Sequence, residues 1–149
     1  MTYRRILLAV DVAAGADAVG RRAAALAAAF GATVKLLHVV EYVPMDPGGE
    51  GLMPPPVDLE DELLAGGRDR LAELANRIGL PNAEREVCVG NIKSEIVRAA
   101  TDMPADLIVI GRHQHHGLAL LFGSTERSLV NAAPCDVLAV RVEEEEKED

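Results

Sequence analysis

Short apolar runs alternate with helical periodicity along most of this chain. Residues 4–10 open with two arginines and continue as Ile6-Leu-Leu-Ala-Val10 before Asp11, the pattern of a strand covered on both faces of a sheet. Thr33–Val40 is rich in β-branched residues and of strand length, so a second strand is expected there. Glu84–Val89, residues 105–110 and Asp136–Val142 predict three more.

Between these runs the spacing changes. Over residues 17–30, Val19, Ala23, Leu26 and Phe30 recur at three- and four-residue intervals, which gives a helix one apolar face, and Gly31 is placed to cap its end. A helix over 58–79 is expected to start at Asp58, whose carboxylate can accept from first-turn N–H groups. It turns Leu63, Leu64, Leu71, Leu74 and Ile78 inward, and the Gly66-Gly67 pair weakens its middle. Residues 92–101, with Ile92, Ile96, Val97 and Ala100 inward, and residues 124–132 predict two further helices. The proline- and glycine-rich stretch 41–57 suits neither a regular helix nor a central strand and predicts a loop over the rim.

Five strands alternating with four helices predict a three-layer α/β/α fold: a doubly wound, mostly parallel sheet with right-handed crossovers. Strand orders 3-2-1-4-5 and 2-1-3-4-5 both suit a chain of this size, and both place a ligand crevice where the winding reverses. In the first order that crevice lies between strands one and four, so Asp11 on one side and Gly111-Arg112-His113-Gln114 on the other are nominated by topology alone. Gly111, directly after a strand, permits a sharp turn and close approach of a ligand. Gly123-Ser124-Thr125 puts a small residue and two hydroxyls at a helix start. Ser124 is followed three residues later by Arg127, so no capping box forms and free N–H groups remain for an anion.

Composition narrows the classes. At 149 residues the chain fits one domain with a full core, and 49% hydrophobic with 26% charged residues is the balance of a globular protein. No apolar run approaches the ~20 residues that cross a bilayer, and the basic N-terminus lacks a signal-peptide pattern. No membrane insertion is expected, and the expected compartment is cytoplasmic. The formal net charge is −9, of which residues 143–149 supply −5; a domain over 1–142 followed by an acidic disordered tail over 143–149 is expected. An acidic chain with two Tyr, two Phe and no Trp lacks the basic surface and stacking platform of nucleic acid binding.

With these motifs in place, the chain resembles the universal stress protein family. Asp106-Leu-Ile-Val-Ile-Gly111, Gly123-Ser124-Thr125 and Asn131-Ala-Ala-Pro-Cys-Asp-Val-Leu-Ala-Val140 look like its C-terminal signature, and Asp11 and Leu37-His38-Val39-Val40 match its N-terminal half. The resemblance spans residues 4–142 and implies the adenine nucleotide alpha hydrolase-like fold with strand order 3-2-1-4-5. It also implies a nucleotide (ATP) cofactor, possible Mg2+, and a stress-response or regulatory module acting through partner proteins. By that resemblance Gly111, Gly123, Ser124 and Thr125 hold phosphate, Gln114 sits in the same loop, and Asp11 and Val39 line the ribose and adenine pocket. The ATP-binding branch has the loop pattern G-x2-G-x9-G-[ST]. Here Gln114 stands at the second glycine, and eight residues separate it from Gly123, so the loop is one residue short. Gly-x-x-Gln loops also occur in the family's other branch, whose members do not bind ATP. A side chain at 114 can crowd phosphate, or its amide can donate to it. The rival implied by these departures is a universal stress protein that binds no ATP and serves as an interaction module. The resemblance further implies a homodimer through strand 136–142, whose apolar edge would otherwise stand open.

The remaining chemistry-bearing residues are expected to be structural. His113, His115 and His116 share one loop without companion acids or cysteines at ligand spacing, so no metal site is assigned. His38 alternates with apolar neighbours and is expected to be a hydrogen-bonded core histidine. Cys88 and Cys135 have no partner at redox or metal spacing and are expected as buried thiols. Asp11 at a strand end can also cap the following turn. It is a sole carboxylate with no second acid or nucleophile–base pair, so no catalytic residue is assigned, and at most slow ATP hydrolysis is expected.

Overall fold

The computed structural model describes residues 2–11, 15–41, 57–113 and 127–142. Of the expected loop over 41–57, residues 42–56 lie outside the described residues, as do the helix start at Ser124 and the tail over 143–149; Val57 already belongs to a helix. Five strands, β1 (Arg5–Ala9), β2 (Thr33–Val40), β3 (Glu84–Val89), β4 (Leu107–His113) and β5 (Asp136–Val142), form one sheet. Every neighbouring pair is parallel, and the order is β3-β2-β1-β4-β5. Helices α1 (Ala16–Phe30), α2 (Val57–Arg77) and α3 (Ile92–Asp102) supply the crossovers, and residues 127–132 are also helical.

Alternation along the strands divides the core into two layers. Ile6, Leu8, Val34, Leu36, Leu107, Val109, Val140 and Val142 face α1 and α2, where they meet Val19, Ala23, Leu71, Leu74 and Ile78. Leu7, Leu37, Ile108 and Ile110 face the other way, against Ile96, Ala99 and Ala100 of α3 and Leu129. Leu7, Leu8, Leu36 and Leu37 are fully buried, each worth about 1.5–3 kcal/mol of transfer free energy. These central strands therefore read as continuous apolar runs because both faces are covered.

Two local expectations need correction, and a third gains a structural reason. First, β4 does not end at Ile110: Gly111, Arg112 and His113 continue it and pair with Val140, Arg141 and Val142. The apolar run stops where burial stops, whereas the ladder continues because β5 offers a matching backbone edge. Gly111 is thus inside a strand, and the described glycines with positive φ are Gly15, Gly31 and Gly79. Second, Phe30 is partly exposed and packs edge-on against Tyr3, with ring centroids 5.4 Å apart. Third, α2 runs unbroken through Gly66-Gly67. Gly67 is buried where the helix approaches the sheet most closely: a Cβ there would lie 2.9 Å from Cγ1 of Val87 and 3.4 Å from Cδ2 of His38.

The N-terminal edge of the sheet is closed by polar bonds. The Asp106 carboxylate accepts from the backbone N–H groups of Arg4 at 2.8 Å and Arg5 at 3.1 Å, and the Asp106 N–H donates to the Arg5 carbonyl at 2.9 Å. The Tyr3 hydroxyl donates to Asp136 at 2.8 Å.

Candidate functional site

The opposite, C-terminal edge contains the point where the winding reverses. From β1 the chain crosses to β2 on one side, and β4 lies on the other. Ala9 pairs with Leu37 and Leu8 with Val109, so by register Asp11 stands level with Val39 of β2 and Arg112 of β4, and Gly111 stands one residue below. The structure therefore brings Asp11, Val39 and Gly111 to one edge, as the sequence nominated. Asp11 is exposed, and Val39 and Gly111 are half-buried. Gln114, Gly123, Ser124 and Thr125, the expected phosphate-holding positions, lie outside the described residues.

Beneath this edge sits a buried polar side chain. The last described backbone rung between β1 and β2 is the Val10 N–H donating to the Leu37 carbonyl at 3.0 Å. Nδ1 of His38 lies 3.0 Å from the Val10 carbonyl, so that nitrogen carries the proton and donates. His38 is 8% exposed, which bears out a hydrogen-bonded core histidine. Its place directly under Asp11 was not legible from strand alternation.

A second polar cluster flanks the edge along β3 and α3. Asn91 caps α3 by accepting from the Ser94 N–H at 2.9 Å, which satisfies one of the orphan first-turn donors. Lys93 donates to the Ser128 hydroxyl at 3.2 Å, tying that turn to the 127–132 helix. Arg98 bridges Glu86 and Glu95, and Lys35 pairs with Glu86 at 2.9 Å. Burial pushes the Glu86 carboxyl up, but hydrogen bonds from Lys35 and Arg98 outweigh it and hold the group below its ordinary range. Burial, reinforced by the bond to Glu95, pushes the Cys88 thiol up to about 11. Cys88 is therefore a protonated, weakly nucleophilic thiol at neutral pH.

Surface cavities lined by described residues lie elsewhere. One of about 400 Å3 lies between α2 and β3, lined by Arg68, Leu71 and Val87 among others. Another of about 600 Å3 lies at the N-terminal edge beside Arg5, Thr33 and Met103. Neither touches Asp11, Val39 or Gly111, so both are separate from the edge that topology nominates.

The universal stress protein family model matches residues 2–141, nearly the whole chain and both halves of the reversal. The chain belongs to the universal stress protein family. Universal stress protein A homolog 1 of Coxiella burnetii is 38% identical over 144 residues, covering 97% of this chain and 100% of that one. Among solved structures, the universal stress protein UspA from Lactobacillus plantarum superposes with a TM-score of 0.74 at 27% identity, covering 95% of this chain and 99% of that one. The universal stress protein from Archaeoglobus fulgidus in complex with dAMP matches at 0.62 and 27% identity, covering 94% and 99%. The strand order and layers of this universal stress protein are those the resemblance implied, an adenine nucleotide alpha hydrolase-like fold. No described helix is long and apolar enough to cross a membrane.

Proposed function

We propose that this universal stress protein is an adenine-nucleotide-binding stress-response or regulatory module that takes ATP, with Mg2+ as its accompanying ion, at the C-terminal edge between β1 and β4. The observation that carries the reading is the meeting of Asp11, Val39 and Gly111 at the topological switch point, where open α/β sheets bind ligands. The groups present suit a nucleoside: a carboxylate that accepts from ribose hydroxyls beside Val39, whose backbone and apolar side chain suit a base, and a residue without a Cβ at Gly111. When bound, ATP would bring phosphate charge to this edge, and Asp11 and Val39 would orient its ribose and base. The dAMP complex of the Archaeoglobus fulgidus relative supports the same ligand class.

On this reading the phosphates lie at Gly111, Gln114, Gly123, Ser124 and Thr125. The protein acts in the cytoplasm, with at most slow ATP hydrolysis, through a homodimer formed along β5 and through partner proteins. In support of the dimer, β5 is an edge strand that among the described residues pairs only with β4, and such an edge invites pairing with a second copy. Isothermal titration with ATP-Mg2+ tests binding, and phosphate release over hours tests turnover. Saturable binding without release fits the proposal. No binding favours the interaction-module alternative suggested by Gln114 and the shortened loop, and steady release would make the protein an ATPase. Light scattering at micromolar concentration tests the dimer, and a monomer would contradict it.

A further inference from the structure

One more rung of a parallel β1–β2 ladder would bring the Val39 N–H onto the Val10 carbonyl. Among the described residues, that carbonyl is held by the His38 imidazole at 3.0 Å, and the backbone rungs end at Val10 N–H to Leu37 O. We propose that His38 is a positioning residue for the nucleotide site: its side chain replaces the last ladder rung, lets β1 and β2 part above Val10, and fixes the plane of the Val10–Asp11 peptide. This rests on the nucleotide-site reading above and adds to it a specific device.

Three features favour an oriented donor over a merely tolerated core polar group. The imidazole is 8% exposed, so a buried carbonyl left without it would bear a desolvation penalty. Gly67 of α2 carries no side chain where one would overlap Cγ1 of Val87 at 2.9 Å and touch Cδ2 of His38 at 3.4 Å, so the helix backbone passes close to the ring. The held atom belongs to the peptide bond that leads into Asp11, so a turn of that peptide redirects the Asp11 carboxylate. The imidazole thus works through Asp11 and Val39, with adenine nucleotide as the ligand class that senses the geometry.

The test compares His38→Asn, whose amide nitrogen sits where Nδ1 does, with His38→Leu, which fills the volume without a donor. Each is titrated with ATP-Mg2+ at a temperature where circular dichroism shows it folded. His38→Leu is expected to weaken binding about tenfold, the equivalent of one net hydrogen bond, and His38→Asn to stay within about threefold of the parent. Equal affinities for the parent and His38→Leu would overturn the proposal. Should His38→Leu not fold, His38→Gln takes its place, since it moves the amide away from the Nδ1 position. If the parent itself binds no adenine nucleotide, the functional reading fails separately, and amide hydrogen exchange then judges the positioning role. Faster exchange at Asp11 in His38→Leu but not in His38→Asn, with Leu8 unchanged, supports it; unaltered exchange at Asp11 overturns it.

Discussion

The two ends of the sheet use polar groups on the same strands in opposite ways. At the N-terminal edge the Asp106 carboxylate collects two backbone N–H groups of the β1 lead-in, drawing β1 and β4 together. At the C-terminal edge the His38 imidazole takes the Val10 carbonyl and the strands part. A carboxylate that gathers donors adds stability, whereas a side chain that ends a ladder early leaves backbone and Asp11 at a rim where a ligand can use them. Asp106 opens one of the sequence motifs that identify the family, yet it lies at the edge far from the candidate site. A motif residue can therefore mark the fold rather than the chemistry.

The contrast breaks most readily at Asp106. Asp106→Ala is expected to cost about 2 kcal/mol in urea unfolding, because two charge-assisted bonds to backbone N–H groups are lost at a partly exposed site. Its ATP affinity, measured on the folded protein, should be unchanged; a large loss of affinity would tie the two ends together. Next are the adjacent glycines of α2. Gly67→Ala is expected to destabilise by about 1 kcal/mol, since its Cβ meets the stiff Val87 side chain at 2.9 Å. Gly66→Ala meets only the Arg70 guanidinium, no nearer than 3.5 Å, and should stabilise by about 0.5–1 kcal/mol through helix propensity. Opposite signs in thermal melts would confirm that α2 is seated tightly against Val87 at one position and freely beside it.

A smaller, pH-dependent effect is expected along β3. The Glu86 carboxyl is held below its ordinary value of 4.5 by Lys35 and Arg98 against the opposing pull of burial. A depressed folded-state value gives stability that is present above the unfolded value and lost as pH falls through the folded one. Stability should therefore decline below about pH 4.5, and Glu86→Gln should flatten that part of the profile in urea titrations at stepped pH. The smallest effect is assigned to Tyr3→Phe, which removes an exposed hydrogen bond to Asp136 and should leave the urea midpoint within error.

Much of the fold was legible because burial wrote it into the sequence. Ile6–Val10 and Thr33–Val40 are covered on both faces and read as apolar runs, and Gly31 ends α1 with a positive φ as its type suggests. The end of β4 was not legible, because Gly111, Arg112 and His113 are held by backbone pairing with β5 that leaves no periodic trace. Asp11 and Gly111 could be nominated from topology, since the switch point depends only on the order of elements. The His38 to Val10 bond could not, because it joins residues that only the β1–β2 register brings together. Gly67 read as a weakness in α2 until the Val87 and His38 side chains opposite it gave it a purpose.

The claim that nucleotide binds at the parting end of the sheet is tested most directly by titrating the isotope-labelled protein with ATP-Mg2+ and following backbone amide resonances. The account predicts saturable shifts centred on Asp11, Val39 and Gly111, with Arg5, Thr33 and Asp106 still. Shifts centred instead on Arg5 and Thr33, beside the cavity at the N-terminal edge, or no shifts at millimolar nucleotide, would contradict it.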